Sequence, residues 1–191
     1  FRLGTDDATL RATARDLVTH RIGMPRHDAV WFGNSAGRKE LYGRLRYMDF
    51  AFDMRTRFVY NNFMYMAAGY LAGQLAGTTW EEFTKSAIFT PLGMSSTNFQ
   101  VSEMLASPDH ASGYQLNNAR ELAPDPFESF DAAGPAGSMN STARDLTRYM
   151  RMMLAGGVFE GTRVLDEADV KAMMQPQFPI GPDTFEDVFG F

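Results

Sequence analysis

The chain has no cysteine among its 191 residues, which excludes a disulfide framework, a thiolate zinc site and a cysteine nucleophile together. Long apolar runs are missing as well. The longest, residues 63–73, falls well short of the roughly 20 residues a membrane-spanning helix needs, so no span is expected in this segment. Neither sign of charge dominates: 18 Lys and Arg stand against 23 Asp and Glu, for a formal net charge of −5. The basic residues are scattered, so nothing here would neutralise a phosphate backbone, and nucleic acid is not an expected partner. No His-Glu-x-x-His or comparable ligand spacing occurs, and no glycine-rich phosphate loop follows a predicted strand. Neither a metal nor a cofactor is therefore expected.

What is present is a globular composition, 45% hydrophobic and 21% charged, sufficient for one core and a single domain over 1–191. Leu10, Ala14, Leu17 and Val18 recur at helical spacing and predict a helix over 8–19, with Asp6 and Asp7 favouring its N-terminus. Gly23 and Pro25 then predict a turn. Leu41, Leu45 and Met48 predict an amphipathic helix over 38–48, whose Arg38, Arg44 and Arg46 should face solvent.

Residues 62–76 are apolar on every side and rich in Ala and Gly, the pattern of a helix enclosed by neighbours. Gly69-x-x-x-Gly73 in it should permit close backbone packing. Thr79 with Glu82, or Thr78 with Glu81, opens a short helix that Pro91 is expected to stop. Gly113-Tyr114-Gln115-Leu116 before Asn117-Asn118 predicts a hairpin within an otherwise loop-rich stretch over 95–140. Ser141 or Thr142 should cap a helix with Leu146, Tyr149, Met150, Met153 and Leu154 inward and Arg144, Arg148 and Arg151 outward, ended by Gly156-Gly157. A last helix from Asp166 should bury Val170, Met173 and Met174. The thirteen methionines read mostly as adaptable core filler on these stripes.

Tyr60-Asn61-Asn62 lies where a polar, Arg-containing loop over 55–59 runs into the enclosed helix, so Tyr60 and Asn62 are predicted to project from its mouth. Taken alone, Asn62 reads equally as the helix N-cap and Tyr60 as a half-buried aromatic.

Ordered neighbours change that balance. Leu17-Val18-Thr19-His20-Arg21-Ile22-Gly23-Met24-Pro25 resembles a Leu-Leu-x-His-x-Ser-Gly-Leu-Pro turn, with Ile22 where Ser is usual. Phe58-Val59-Tyr60-Asn61-Asn62 resembles Phe-x-Tyr-Ser-Asn, and Pro91-Leu92-Gly93-Met94-Ser95-Ser96-Thr97 resembles Pro-Leu-Gly-Met-x-x-Thr. Residues 135–146, from Pro135-Ala136-Gly137-Ser138 to Asp145-Leu146, resemble Ala-Gly-Gly-x-x-Ser-Thr-Ala-x-Asp-Leu, with Ser138 replacing a Gly. In this order they are similar to the serine β-lactamase and penicillin-binding protein family, across almost the whole chain.

The resemblance implies an α+β fold, a helical lobe beside an antiparallel sheet, with this chain supplying mostly the helical lobe. It implies a serine hydrolase that forms an acyl-enzyme on an amide, ester or β-lactam carbonyl of a small molecule or peptide. Tyr60 would exchange the proton of the serine and Asn62 would position the substrate amide. It also favours a periplasmic or extracellular location.

No Ser or Thr is followed three residues later by Lys, and no Lys-Thr-Gly or His-x-Gly strand motif is suitably placed. The expectation is an internal piece of a longer protein, with the nucleophile motif before Phe1, the third motif after the apolar end at Gly190-Phe191, and no activity in the isolated piece. The alternative is a non-catalytic binding or regulatory relative with the same fold. His20, within a matched segment, reads as structural, a ring nitrogen bonding backbone in the turn before Gly23; His27 and His110 read as loop residues. Residues 124–138, rich in Pro and Gly, are expected to border the substrate pocket.

Overall fold

The computed structural model describes residues 1–33 and 35–180; the apolar run at Gly190-Phe191 lies outside them. In order come α1 (Asp6–Arg11), α2 (Ala14–Val18), α3 (Arg38–Arg44), α4 (Asn62–Leu75), α5 (Trp80–Thr84), α6 (Thr90–Leu92) and α7 (Val101–Ala106). The hairpin β1 (Gly113–Leu116) and β2 (Leu122–Asp125) follows, then α8 (Ala143–Leu154), the short pair β3 (Val158–Phe159) and β4 (Thr162–Arg163), and α9 (Glu167–Met174). Both strand pairs are antiparallel. A helix-rich α+β chain results, as expected.

The helix predicted over 8–19 is instead two helices. Thr13 adopts extended backbone and forms a reciprocal cap with Asp16, its hydroxyl accepting from Asp16 N while Asp16 Oδ2 accepts from Thr13 N at 2.9 Å. Asp16 is fully buried and also receives Arg21 Nε at 2.6 Å and Arg55 Nη2 at 2.7 Å. Burial alone would raise its pKa, but the hydrogen bonds from Arg55, Thr13 and Arg21 outweigh it and hold the carboxyl well below the usual carboxylate range. A break after α1 is what lets this carboxylate point inward and anchor the loop that leads to Tyr60.

α4 is the centre of the larger core. Phe63, Met64, Met66 and Ala67 are fully buried, and the helix packs on α2, α3, α5 and the 3₁₀ turn Asp131–Ala136. The two glycines act as expected. A Cβ on Gly69 would stand 2.3 Å from the Pro135 ring, and one on Gly73 would stand 2.7 Å from Trp80 N. Enclosure fails only at the C-terminal end, where Leu75 is exposed.

Arg38 does not face solvent. Its guanidinium forks onto Glu81 at 2.6 and 3.1 Å and donates to the Asp131 and Ala132 carbonyls, tying α3 to α5 and to the 131–136 turn. Thr79 caps α5 as expected, but Pro91 does not end the helical run. The chain widens into a π turn over Lys85–Phe89, and Pro91 falls in the first turn of α6, where its missing N–H is not needed. Gly93, at φ 65°, is the terminator. The predicted hairpin is present, with Leu116 opposite Leu122 and Asn117 Oδ1 accepting from Ala119 N and Glu121 N.

α8 begins after Thr142 and ends at Gly156-Gly157, but its predicted stripe is turned outward at Leu146, Met150 and Leu154, all exposed. Polar contacts set the rotation. Buried Asp145 accepts from Ser96 N at 2.8 Å and Thr97 Oγ1 at 2.9 Å, and Arg148 docks on the Leu92 and Gly93 carbonyls rather than facing away. Met152 consequently becomes the buried residue, beside partly buried Tyr149 and Met153, in a second core with Phe89, Leu92 and Phe99. On α9 only Val170 is buried, while Met173 and Met174 are exposed. Sequence periodicity gave no sign of β3 and β4.

Gly69→Ala should lower unfolding free energy by about 1–3 kcal/mol, because the methyl meets a proline ring fixed in a turn rather than a yielding side chain. Urea denaturation of the protein carrying the substitution measures this; an unchanged midpoint would refute the close-packing role.

Candidate active site

The segment before α4 is assembled around Asn61, the middle residue of the triplet. It is Asn61, not Asn62, that caps the helix: its Oδ1 accepts from Met64 N at 3.1 Å. Its Nδ2 donates to the carbonyls of Met24 at 3.1 Å and Pro25 at 2.7 Å. Its backbone N–H donates to His20 Nδ1 at 3.1 Å. With 1% of its surface exposed, Asn61 sews the 20–25 turn to the start of α4. Gly23, at φ 83°, lets that turn lie against the chain at Phe52, whose carbonyl oxygen would be 2.2 Å from any Cβ.

Tyr60 and Asn62 flank this anchor and are both half-buried. Among the described residues, neither the Tyr60 hydroxyl nor the Asn62 carboxamide has a protein hydrogen-bond partner. Tyr65 differs: its hydroxyl donates to the Val18 carbonyl at 2.8 Å, and burial, with Tyr60 nearby, pushes its pKa up. Of these two adjacent phenols, Tyr60 is the one whose polar tip is not engaged in packing. Its ring centroid lies 4.6 Å from that of His20 and 5.2 Å from the Arg26 guanidinium carbon.

His20 bonds backbone through a ring nitrogen, but that of Asn61 and not of its own turn. Because Nδ1 accepts, the ring proton resides on Nε2. Burial lowers its pKa to about 4, so the imidazole is neutral near pH 7. Among the described residues no carboxylate hydrogen-bonds it, as a triad histidine would require. His27 and His110 lie outside the helices and strands, as expected.

The four sequence segments that suggested a shared pattern meet in pairs. The 17–25 turn and the 58–62 segment join through Asn61, while Thr97 and the start of α8 join through Asp145 and an antiparallel Asn98–Asn140 bridge. Residues 124–138 do border concave surface. Phe127 and Phe130 line a groove of about 470 Å³ that Phe32 closes on the other side. Trp31 and Phe130 line a neighbouring groove of about 410 Å³. Neither Tyr60 nor Asn62 lines either of these two grooves. No group of three or more His, Asp or Glu suited to a metal occurs among the described residues, and none of their helices is long and apolar enough to cross a membrane.

Sequence reading missed the role of Asn61 and the proximity of Arg26 to Tyr60. The first had only an ambiguous signal, since Asn61 and Asn62 are both cap-forming residues at the start of the apolar run; the second is a tertiary contact with none.

Asn61→Ala should cost about 2–4 kcal/mol of stability, since it removes a cap and strands two carbonyls. Asn61→Ser, which keeps an acceptor for the cap, should recover part of that in the same denaturation assay. The pH dependence follows from His20. Its folded-state pKa of about 4 lies below the ordinary 6.5, so the unfolded chain takes up a proton first as pH falls. The contribution is complete above about 6.5 and is lost as pH falls through about 4. His20→Gln should remove that slice of the stability profile; a profile superimposing on the parent would contradict the assignment.

Comparison with known proteins agrees with this architecture. The Beta-lactamase family pattern matches residues 3–187. Unguisins hydrolase ungD of Aspergillus violaceofuscus is 29% identical over 163 residues, covering 81% of this chain and 29% of that protein. The octameric penicillin-binding protein homologue from Pyrococcus abyssi superimposes with a TM-score of 0.70 at 25% identity, over 86% of this chain and 38% of that one. The D-amino acid amidase from Ochrobactrum anthropi SV3 shares the fold, with a TM-score of 0.65 at 22% identity over 84% of this chain and 46% of that one. The chain thus spans from 29% to 46% of the length of these relatives. With the helical lobe, the ordered segments and the family match in agreement, the chain belongs to the β-lactamase family.

Proposed function

We propose that this chain supplies the Tyr60 and Asn62 side of the active site of a serine hydrolase that passes through an acyl-enzyme on an amide, ester or β-lactam carbonyl. The observation that carries the reading is the contrast within one triplet. Asn61 is buried with its carboxamide and backbone N–H engaged, whereas the polar tips of its two neighbours are held on a fixed backbone without partners among the described residues. A rigid mount with unengaged donors and acceptors is what positional catalysis needs.

The serine and its lysine come from residues outside this chain, since no Ser or Thr here has Lys three positions on. In acylation the Tyr60 oxygen takes the serine proton as the serine oxygen bonds to the carbonyl carbon. As the tetrahedral intermediate collapses, the same proton passes to the departing nitrogen or oxygen. In deacylation water repeats the exchange and the serine regains its proton. The Asn62 carboxamide, with one acceptor and two donors, bonds the substrate amide and the lysine ammonium together and keeps the carbonyl in line.

Tyr60→Phe in the complete protein should slow acylation by about 10²–10⁴-fold, the usual range for loss of an acid–base group. A chromogenic ester or a β-lactam followed by mass spectrometry of the acyl adduct reads this directly, with circular dichroism unchanged. Tyr65→Phe serves as control and should stay within a few-fold of the parent. Undiminished acylation by Tyr60→Phe would refute the role given to Tyr60, and a complete gene without Ser-x-x-Lys would point instead to a non-catalytic binding protein.

A further inference from the structure

Resting on that reading, we propose that Arg26 is a positioning residue for the Tyr60 phenol, fixing the ring through a planar cationic contact that is itself anchored to Asn61. The Arg26 guanidinium carbon lies over the Tyr60 ring, 5.2 Å from its centroid. Two tethers hold it there. Arg26 Nε donates to Asp28 Oδ2 at 2.7 Å, two residues along, which restricts the side chain. The carbonyl of Pro25, the residue before it, receives Asn61 Nδ2 at 2.7 Å, which restricts the backbone.

The ring has a second neighbour with the same origin. His20, 4.6 Å away between centroids, accepts the Asn61 backbone N–H through Nδ1. His20 and Arg26 are thus both referenced to the residue directly after Tyr60. Rotation of the phenol about its own side-chain bonds would have to displace an imidazole or a guanidinium, each pinned elsewhere. With no hydrogen bond to its hydroxyl from the described residues, the ring is oriented by the guanidinium over it and the tilted imidazole beside it. Arginine suits the task better than lysine, because a flat guanidinium lies along a ring while an ammonium on a flexible stem makes a point contact.

The carboxylates and cations around this contact are few. Asp28 faces Arg26 directly; His20 is neutral, and Tyr65, near enough to Tyr60 for their phenols to interact, packs on the same imidazole at 5.0 Å. Arg26 and Asp28 are both partly exposed, so their substitution leaves the core intact.

The test uses the complete protein, with a chromogenic ester as substrate and steady-state kinetics for Arg26→Gln, Arg26→Lys, Asp28→Asn, Tyr60→Phe and the double variant Arg26→Gln/Tyr60→Phe. A misplaced reacting group costs rate more than binding, so Arg26→Gln should lower kcat by roughly tenfold or more with KM within about twofold. Arg26→Lys and Asp28→Asn should fall between parent and Arg26→Gln, with unaltered thermal melts. The double variant should be no slower than Tyr60→Phe alone, because a positioning residue has nothing left to position. Parent-like kcat in Arg26→Gln while Tyr60→Phe is impaired would overturn the Arg26 role and leave the Tyr60 reading intact, as would multiplicative loss in the double variant. Parent-like turnover in Tyr60→Phe would remove both.

Discussion

Asn61 makes four hydrogen bonds with one side chain and one backbone amide, and they join the start of α4, the 20–25 turn and the His20 ring into one unit. A buried carboxamide can be tolerated only if its donors and acceptor are all met, so its partners cannot drift without exposing an unsatisfied polar group. That constraint reaches the neighbouring side chains through the covalent backbone and, at Tyr60, through the His20 and Arg26 contacts as well. Tyr60 and Asn62 inherit a defined direction while making no side-chain hydrogen bond of their own among the described residues. Anchoring and chemistry are divided between adjacent positions, which keeps the reactive candidates free of structural duty.

Two buried aspartates extend the same logic outward. Asp16 and Asp145 each stand third in a helix capped by threonine, and each also receives donors from a distant turn. Asp16 holds the Arg55 loop that delivers the chain to Tyr60; Asp145 holds the 96–97 turn against α8. A local cap is worth about 1 kcal/mol, too little to organise a domain. Making the same carboxylate serve a long-range contact converts a helix start into a joint between segments.

Local rules therefore went furthest where local forces decide. The α4 helix with its two glycines, the 113–125 hairpin, and the caps at Thr79 and Thr142 were all legible, because propensity, capping and turn chemistry act over a few residues. Errors arose where a polar tertiary contact outweighed an apolar pattern. The Leu146, Met150 and Leu154 stripe looked like a core face, yet Asp145 and Arg148 turned α8 to bring Met152 inward. Arg38 looked like a solvent residue until Glu81 and two carbonyls met it. At the site, the positions of Tyr60 and Asn62 at the mouth of α4 followed from the sequence, but the division of labour with Asn61 did not, since three consecutive polar residues give no sign of which is buried.

The two tryptophans fall on opposite sides of this organisation. Trp31 belongs to the core around α4, and Trp80 packs against the core around Phe89 and Met152, stacking edge-on with Phe99. Each hydrophobic body thus carries a single tryptophan, and because Trp80 also lies beside Gly69 of α4, its emission reports the seam between the two bodies while that of Trp31 reports the larger one.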